Sequence, residues 1–114
     1  MVQQNAVSPA IFDSSSVTED SYSQSIFPRG RNGFSLTYEW CTTGNLVAAL
    51  YLQCRNDKEE TFVNCNLASF PSSPDGSVGR DEYSVVDTKH KEYRVFIDFT
   101  SGDGSLIIRS NIGE

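Results

Sequence analysis

Hydrophobic residues recur at every second position through most of this chain, and turn-forming residues interrupt them about every ten positions. Phe34, Leu36, Tyr38 and Trp40 fall on one face of residues 34–41, with Ser35, Thr37 and Glu39 on the other. That period of two is the mark of a half-buried strand, because successive strand side chains point to opposite faces. A turn at residues 42–45, containing Gly44, separates it from a strand over 46–55. There Leu46, Ala48, Leu50, Leu52 and Cys54 oppose Val47, Ala49, Tyr51 and Gln53. Both faces are apolar at its start, which predicts a central strand. Asn56, Asp57 and Lys58 supply a hairpin turn into a strand over 60–66. A further strand is expected over 82–88, then a turn at Lys89, His90 and Lys91. Tyr93, Val95, Ile97 and Phe99 alternate with Arg94, Phe96 and Asp98, and a hairpin turn at 101–104 leads to a last strand around Leu106, Ile107 and Ile108. An earlier strand over 21–27 ends at Pro28, ahead of the Asn32-Gly33 turn. The sum is an all-β domain: an antiparallel β-sandwich, jelly-roll or immunoglobulin-like, of about seven or eight short strands, with a closed barrel as the alternative.

The ends and the middle of the chain read differently. Residues 1–20 are rich in Ser, Gln and Asn and read as an extended N-terminal arm before a domain over 21–114. Such a stretch buries too little surface to order itself alone. Ala10, Ile11 and Phe12 are its apolar cluster, which either docks on a neighbouring subunit or forms a first edge strand of the same domain. Residues 68–81 hold Pro71, Pro74, Gly76 and Gly79 and read as a long surface loop, a common place for contacts. Ala10, Ile11, Phe12, Pro71 and Pro74 are therefore the candidate subunit contacts.

The 114 residues suit one domain. Fifteen acidic residues against nine basic ones give a net charge of -6, the wrong sign for a free-standing nucleic-acid binder or a polybasic membrane-surface protein. The longest apolar run, Leu46 to Leu52, is far short of a membrane span. The first basic residue is Arg29, so residues before it lack a signal-peptide charge and predict synthesis in the cytoplasm. Three cysteines, Cys41, Cys54 and Cys65, cannot all pair within the chain. They read as strand thiols, with an interchain disulfide as the sharper alternative. With one histidine, His90, set between two lysines, no metal set and no tuned catalytic base is expected. The carboxylates Asp57 and Asp103 read as turn formers, and neither a catalytic site nor a cofactor is predicted. The aromatic face of Phe34, Tyr38 and Trp40 is either core or, in a carbohydrate-binding adhesin-like module, an exposed platform for a sugar.

Two segments carry a family resemblance. The first runs from Phe34 to Trp40 (FSLTYEW), through a Gly turn, into Leu50 to Asp57 (LYLQCRND); the second is Tyr93 to Leu106 (YRVFIDFTSGDGSL). Together they resemble small β-sandwich structural proteins of tailed bacteriophages, in which a strand ending in Trp precedes a Ser-Asn-Asp-Gly strand end and, later, a Gly-x-Gly hairpin. The resemblance spans residues 34–108. Arg55 stands where that family has Ser, Lys58 where it has Gly, and a second Trp is missing, with Phe62 available to fill its volume. The resemblance implies a non-enzymatic virion component (capsid decoration, head-fibre, neck or tail-associated) whose partners are other virion proteins. It also implies a homo-oligomer, with a trimer as one arrangement.

Overall fold

The computed structural model describes residues 10–29, 33–69, 79–86 and 88–112. Among these residues there is no helix, and the strands are β1 (Ala10–Ser14), β2 (Ser21–Tyr22), β3 (Gly33–Arg55), β4 (Val63–Ser69), β5 (Gly79–Val86) and β6 (Glu92–Ile112). All pairings are antiparallel. The expected sandwich is therefore present, built from fewer and longer strands than the turn signals suggested.

β3 and β6 pair along their whole length, from Phe34 opposite Ile112 to Arg55 opposite Glu92. β5 flanks the first part of β3, with Phe34 opposite Val85 and Trp40 opposite Gly79, and β1 flanks the last part of β6. Further along the ladder, β4 joins β3 at Gln53 and Cys54, and β2 joins β6 at Phe96 and Ile97. Phe34 and Cys54 lie at opposite ends of β3, roughly 65 Å apart if the strand ran straight. Yet the ring of Phe34 meets that of Tyr93, the partner of Cys54, edge-on at a centroid distance of 5.1 Å. The ladder is thus folded double. Its two halves form facing layers, ordered β5-β3-β6-β1 and β4-β3-β6-β2, and both long strands belong to both layers.

The fold-over lies where the sequence predicts two turns. Neither turn ends its strand. Between Cys41 and Ala48 the register slips: Gly44 and Asn45 both stand opposite Asp103, and Val47 stands opposite Ser101. Asn45 (φ 61°) and Gly102 (φ 77°) take the left-handed backbone conformation that Gly and Asn tolerate best. A bulge of this kind bends a strand and adds twist without breaking the ladder. It also changes parity. On β3 the even-numbered residues face inward on both sides of the bend. On β6 the inward set passes from Leu106 and Ile108 to Val95 and Ile97. The slip by one residue is what lets both stretches of β6 reach one core.

That core is continuous between the layers. Leu36, Tyr38, Leu46, Leu50, Leu52, Val95, Ile97, Leu106 and Ile108 are all less than 2% exposed. Ile11 and Val17 join it from the N-terminal segment, and Ile26 joins from the link after β2, where it bridges to Tyr93. The segment 10–14 is accordingly an edge strand of this domain. Of the candidate contacts on it, Ile11 is spent within the subunit, while Ala10 and Phe12 remain half-buried. Pro71 and Pro74, with most of the expected long loop, lie outside the described residues.

Trp40 stacks on Tyr38 at 5.8 Å, and its indole crosses the backbone of Gly79 on the neighbouring strand. A Cβ at Gly79 would fall 2.2 Å from the indole ring. Gly79→Ala must therefore displace a large, nine-tenths buried side chain. Overpacking of this kind costs about 1–3 kcal/mol, and thermal unfolding of the variant, followed by far-UV circular dichroism, is expected to show that loss.

Candidate functional site

The stripe of Phe34, Tyr38 and Trp40 is core: Trp40 is 8% exposed and Tyr38 fully buried. This overturns its use as a sugar platform. A group of surface aromatic residues, brought together from four chain segments, lies on the outward face of the second layer, and Phe27, 44% exposed, stands apart from it. Tyr51 of β3 and Phe96 of β6 stand on neighbouring strands with ring centroids 6.3 Å apart; Tyr22 of β2 stacks on Phe96 from the other side at 5.1 Å. The Arg94 guanidinium lies 3.9 Å from the ring centroids of both Tyr22 and Phe62. Arg55 lies 4.3 Å from the centroid of Phe62. The result is a continuous row, Tyr51, Phe96, Tyr22, Arg94, Phe62, Arg55, in which each ring face is turned to its neighbour. Stacking and cation–π contacts of this sort contribute about 0.5–1.5 kcal/mol each. A pyranose binds by lying flat on an aromatic face; in this row Phe96 has a ring on either side and Phe62 meets both Arg94 and Arg55, while Tyr22 keeps 53% of its surface exposed.

Arg55 anchors the row. It stands directly across the ladder from Glu92, with Nε donating to Oε1 at 2.7 Å and a second nitrogen donating to Oε2 at 3.2 Å. Ser25 Oγ donates to the same Oε2 at 2.5 Å. The remaining guanidinium nitrogen donates to the carbonyls of Lys58 and Glu60, closing the turn between β3 and β4. Arg55 and Glu92 side chains are only 21% and 11% exposed, so the forked pair sits in a medium where it is little screened. The Arg55 hydrogen bonds hold the Glu92 carboxyl below its ordinary value of 4.5, ahead of the opposing effect of burial. Arg94 extends the network sideways by donating from Nε to Gln53 Oε1 at 2.8 Å.

The cysteines separate by environment. Cys54 is buried and Cys65 half-buried, whereas Cys41 is exposed at the bend. Burial, then a thiol–thiol hydrogen bond with Cys54, pushes the Cys65 thiol up to about 12. A thiol with so little thiolate is a poor partner for exchange. Of the three candidates for an interchain disulfide, Cys41 is the exposed one, Cys65 is half-buried and Cys54 is buried.

At the end of the sandwich, a cleft of about 410 Å³ is lined by Phe27, Arg29, His90 and Lys91. The turn over residues 89–91 is held from behind. Tyr93 Oη accepts hydrogen bonds from the backbone N–H groups of Lys89 (3.1 Å) and His90 (3.2 Å), and Asn56 Oδ1 accepts from that of Lys91 (3.1 Å). His90 Nδ1 is buried without a hydrogen-bond partner, as is Trp40 Nε1. Among the described residues, no three or more His, Cys, Asp or Glu side chains gather as they would to hold a metal ion.

No protein-family model matches the chain, and no curated protein is significantly similar to it. The likeness to phage structural proteins therefore rests on the two segments quoted for it. In the structure these segments are neighbours, because they are the long paired strands β3 and β6.

Sequence alternation identified the outward positions of Tyr51, Gln53, Arg94 and Phe96 but not the row they form. Tyr22 and Phe62 come from short or irregular segments whose place on the face is set by topology alone.

Two outcomes follow from this chemistry. A group with a lowered folded pKa stabilises fully above its unfolded value and loses that contribution as pH falls through the folded one. Glu92→Gln is expected to cost about 2 kcal/mol near neutral pH, because it leaves Arg55 half-buried and unpaired. The gap between the two proteins should close as the pH falls below the ordinary carboxyl value of 4.5, as read from urea midpoints across that range. Separately, a thiol-reactive disulfide reagent applied to native protein is expected to modify Cys41 quickly, and Cys54 and Cys65 only after denaturation.

Proposed function

We propose that this chain is a non-enzymatic structural protein of a tailed-phage virion, a capsid decoration, head-fibre, neck or tail-associated component, acting through protein–protein contacts. The observation that carries the reading is the state of the sheet rims. Among the described residues, β4 and β5 are each hydrogen-bonded to a strand on one side only, whereas β1 also accepts a hydrogen bond at the Ile11 carbonyl from the Gln24 N–H just after β2. An open rim offers a row of backbone donors and acceptors to a partner strand, and proteins that must stay single guard such rims with charge. β5 is guarded in this way, with Arg80, Asp81 and Glu82 in succession and Arg80 paired to Glu39 across the ladder at 3.4 Å. β4 is not: VNCNLAS holds no charged residue, and Val63 at its start is 59% exposed. A second copy or another virion protein would add to the β4 rim at little desolvation cost. The quoted resemblance supports the same class. In this reading the protein needs no cofactor and touches neither nucleic acid nor membrane.

Residues 1–9 precede β1 and are the part of the arm that can be removed without taking Ile11 and Val17 from the core. Particles from the source culture, banded on a density gradient, are expected to carry the chain at fixed stoichiometry. A chain lacking residues 1–9 should keep its circular dichroism spectrum and be depleted from the band. Complete absence of the full-length chain from purified particles would refute the virion assignment.

A further inference from the structure

The geometry points to an anion-binding site in the cleft lined by Phe27, Arg29, His90 and Lys91, suited to a carboxylate carried on a compact ring or short apolar body. The local charge runs against that of the whole molecule. In a chain of net charge -6, Arg29, Lys89 and Lys91 lie on two adjacent segments at one end, and none of them forms an ion pair among the described residues. Opposed charge concentrated in a concave site attracts a ligand of the other sign more strongly than the net charge would suggest.

The donors available there define the ligand. The backbone N–H groups of Lys89, His90 and Lys91 are already given to Tyr93 and Asn56, so the turn has no amide nest of the kind that cradles a phosphate. Side chains must do the binding: the guanidinium of Arg29, the ammonium of Lys91 and the imidazole of His90. Such a set matches the planar, singly charged carboxylate. His90 completes the lining, and its Nδ1 is a buried atom without a hydrogen-bond partner. Phe27, 44% exposed with Arg29 lying 5.8 Å from its ring centroid, supplies an apolar wall for the body of the ligand. The volume of about 410 Å³ falls in the range of small-ligand sites. Acidic sugars and acidic peptide groups share this chemistry. The cleft would take either one whether or not the chain belongs to a virion.

Titration of the full chain, followed by its backbone amide resonances, tests the site. Sodium D-glucuronate and N-acetyl-aspartate amide are the two probes; D-glucose and sodium chloride at matched ionic strength are the controls. Saturable shifts centred on residues 27–29 and 88–93 are expected with at least one probe, and which probe saturates identifies the source. Lys91→Ala and Arg29→Ala, both at exposed positions, are each expected to weaken the binding about tenfold, and Lys91→Arg to retain it. Shifts that rise linearly without saturation, that glucose or chloride reproduces, or that survive undiminished in both alanine variants would overturn the assignment. Dispersed spectra of the variants will show that they are folded.

Discussion

Everything in this molecule depends on the slip of one residue in the ladder between β3 and β6. Without it, a strand as long as β6 would point Leu106 and Ile108 to one side and Val95 and Ile97 to the other, and one of those pairs would face water. With it, both sets face inward and the ladder can close on itself. The contact between Phe34 and Tyr93 is the visible outcome, joining opposite ends of the ladder. The left-handed residues Asn45 and Gly102 make the bend feasible, since most other side chains resist that conformation.

The outward face of the second layer shows how an aromatic surface can be structural. Tyr22, Phe62, Phe96 and Tyr51 would look like a binding platform from exposure alone. Their faces are turned to one another and to the guanidinium groups of Arg94 and Arg55. Arg55 is the residue that ties this row to the ladder and to the following turn. A serine at that position could make none of the forked contact to Glu92.

Much of this was legible in the sequence. Period-two alternation grouped the residues that share a face in β3 and in the first half of β6, because burial on one face leaves that pattern whatever the topology. Turn chemistry located residues 42–45 and 101–104 as special but misjudged their effect. Gly and Asn permit both a strand-ending turn and a bulge, and only the pairing partner decides between them. The Ile97–Leu106 spacing held a clue, since two inward residues an odd distance apart on one strand require a break in parity. The functional surfaces were less legible. The cleft joins Phe27 and Arg29 to His90 and Lys91 across some sixty residues of sequence, and no local pattern encodes that meeting.

The sharing of β3 and β6 between both layers also governs how the protein comes to be folded. Each layer takes strands far apart in sequence: among the described residues, β1 pairs with residues 106–109 of β6 and β2 pairs with Phe96 and Ile97 of the same strand. The chain has no complete layer to settle into until β6 is available. The two layers therefore form together, and until β6 is in place the uncharged β4 segment stays open to the wrong companions.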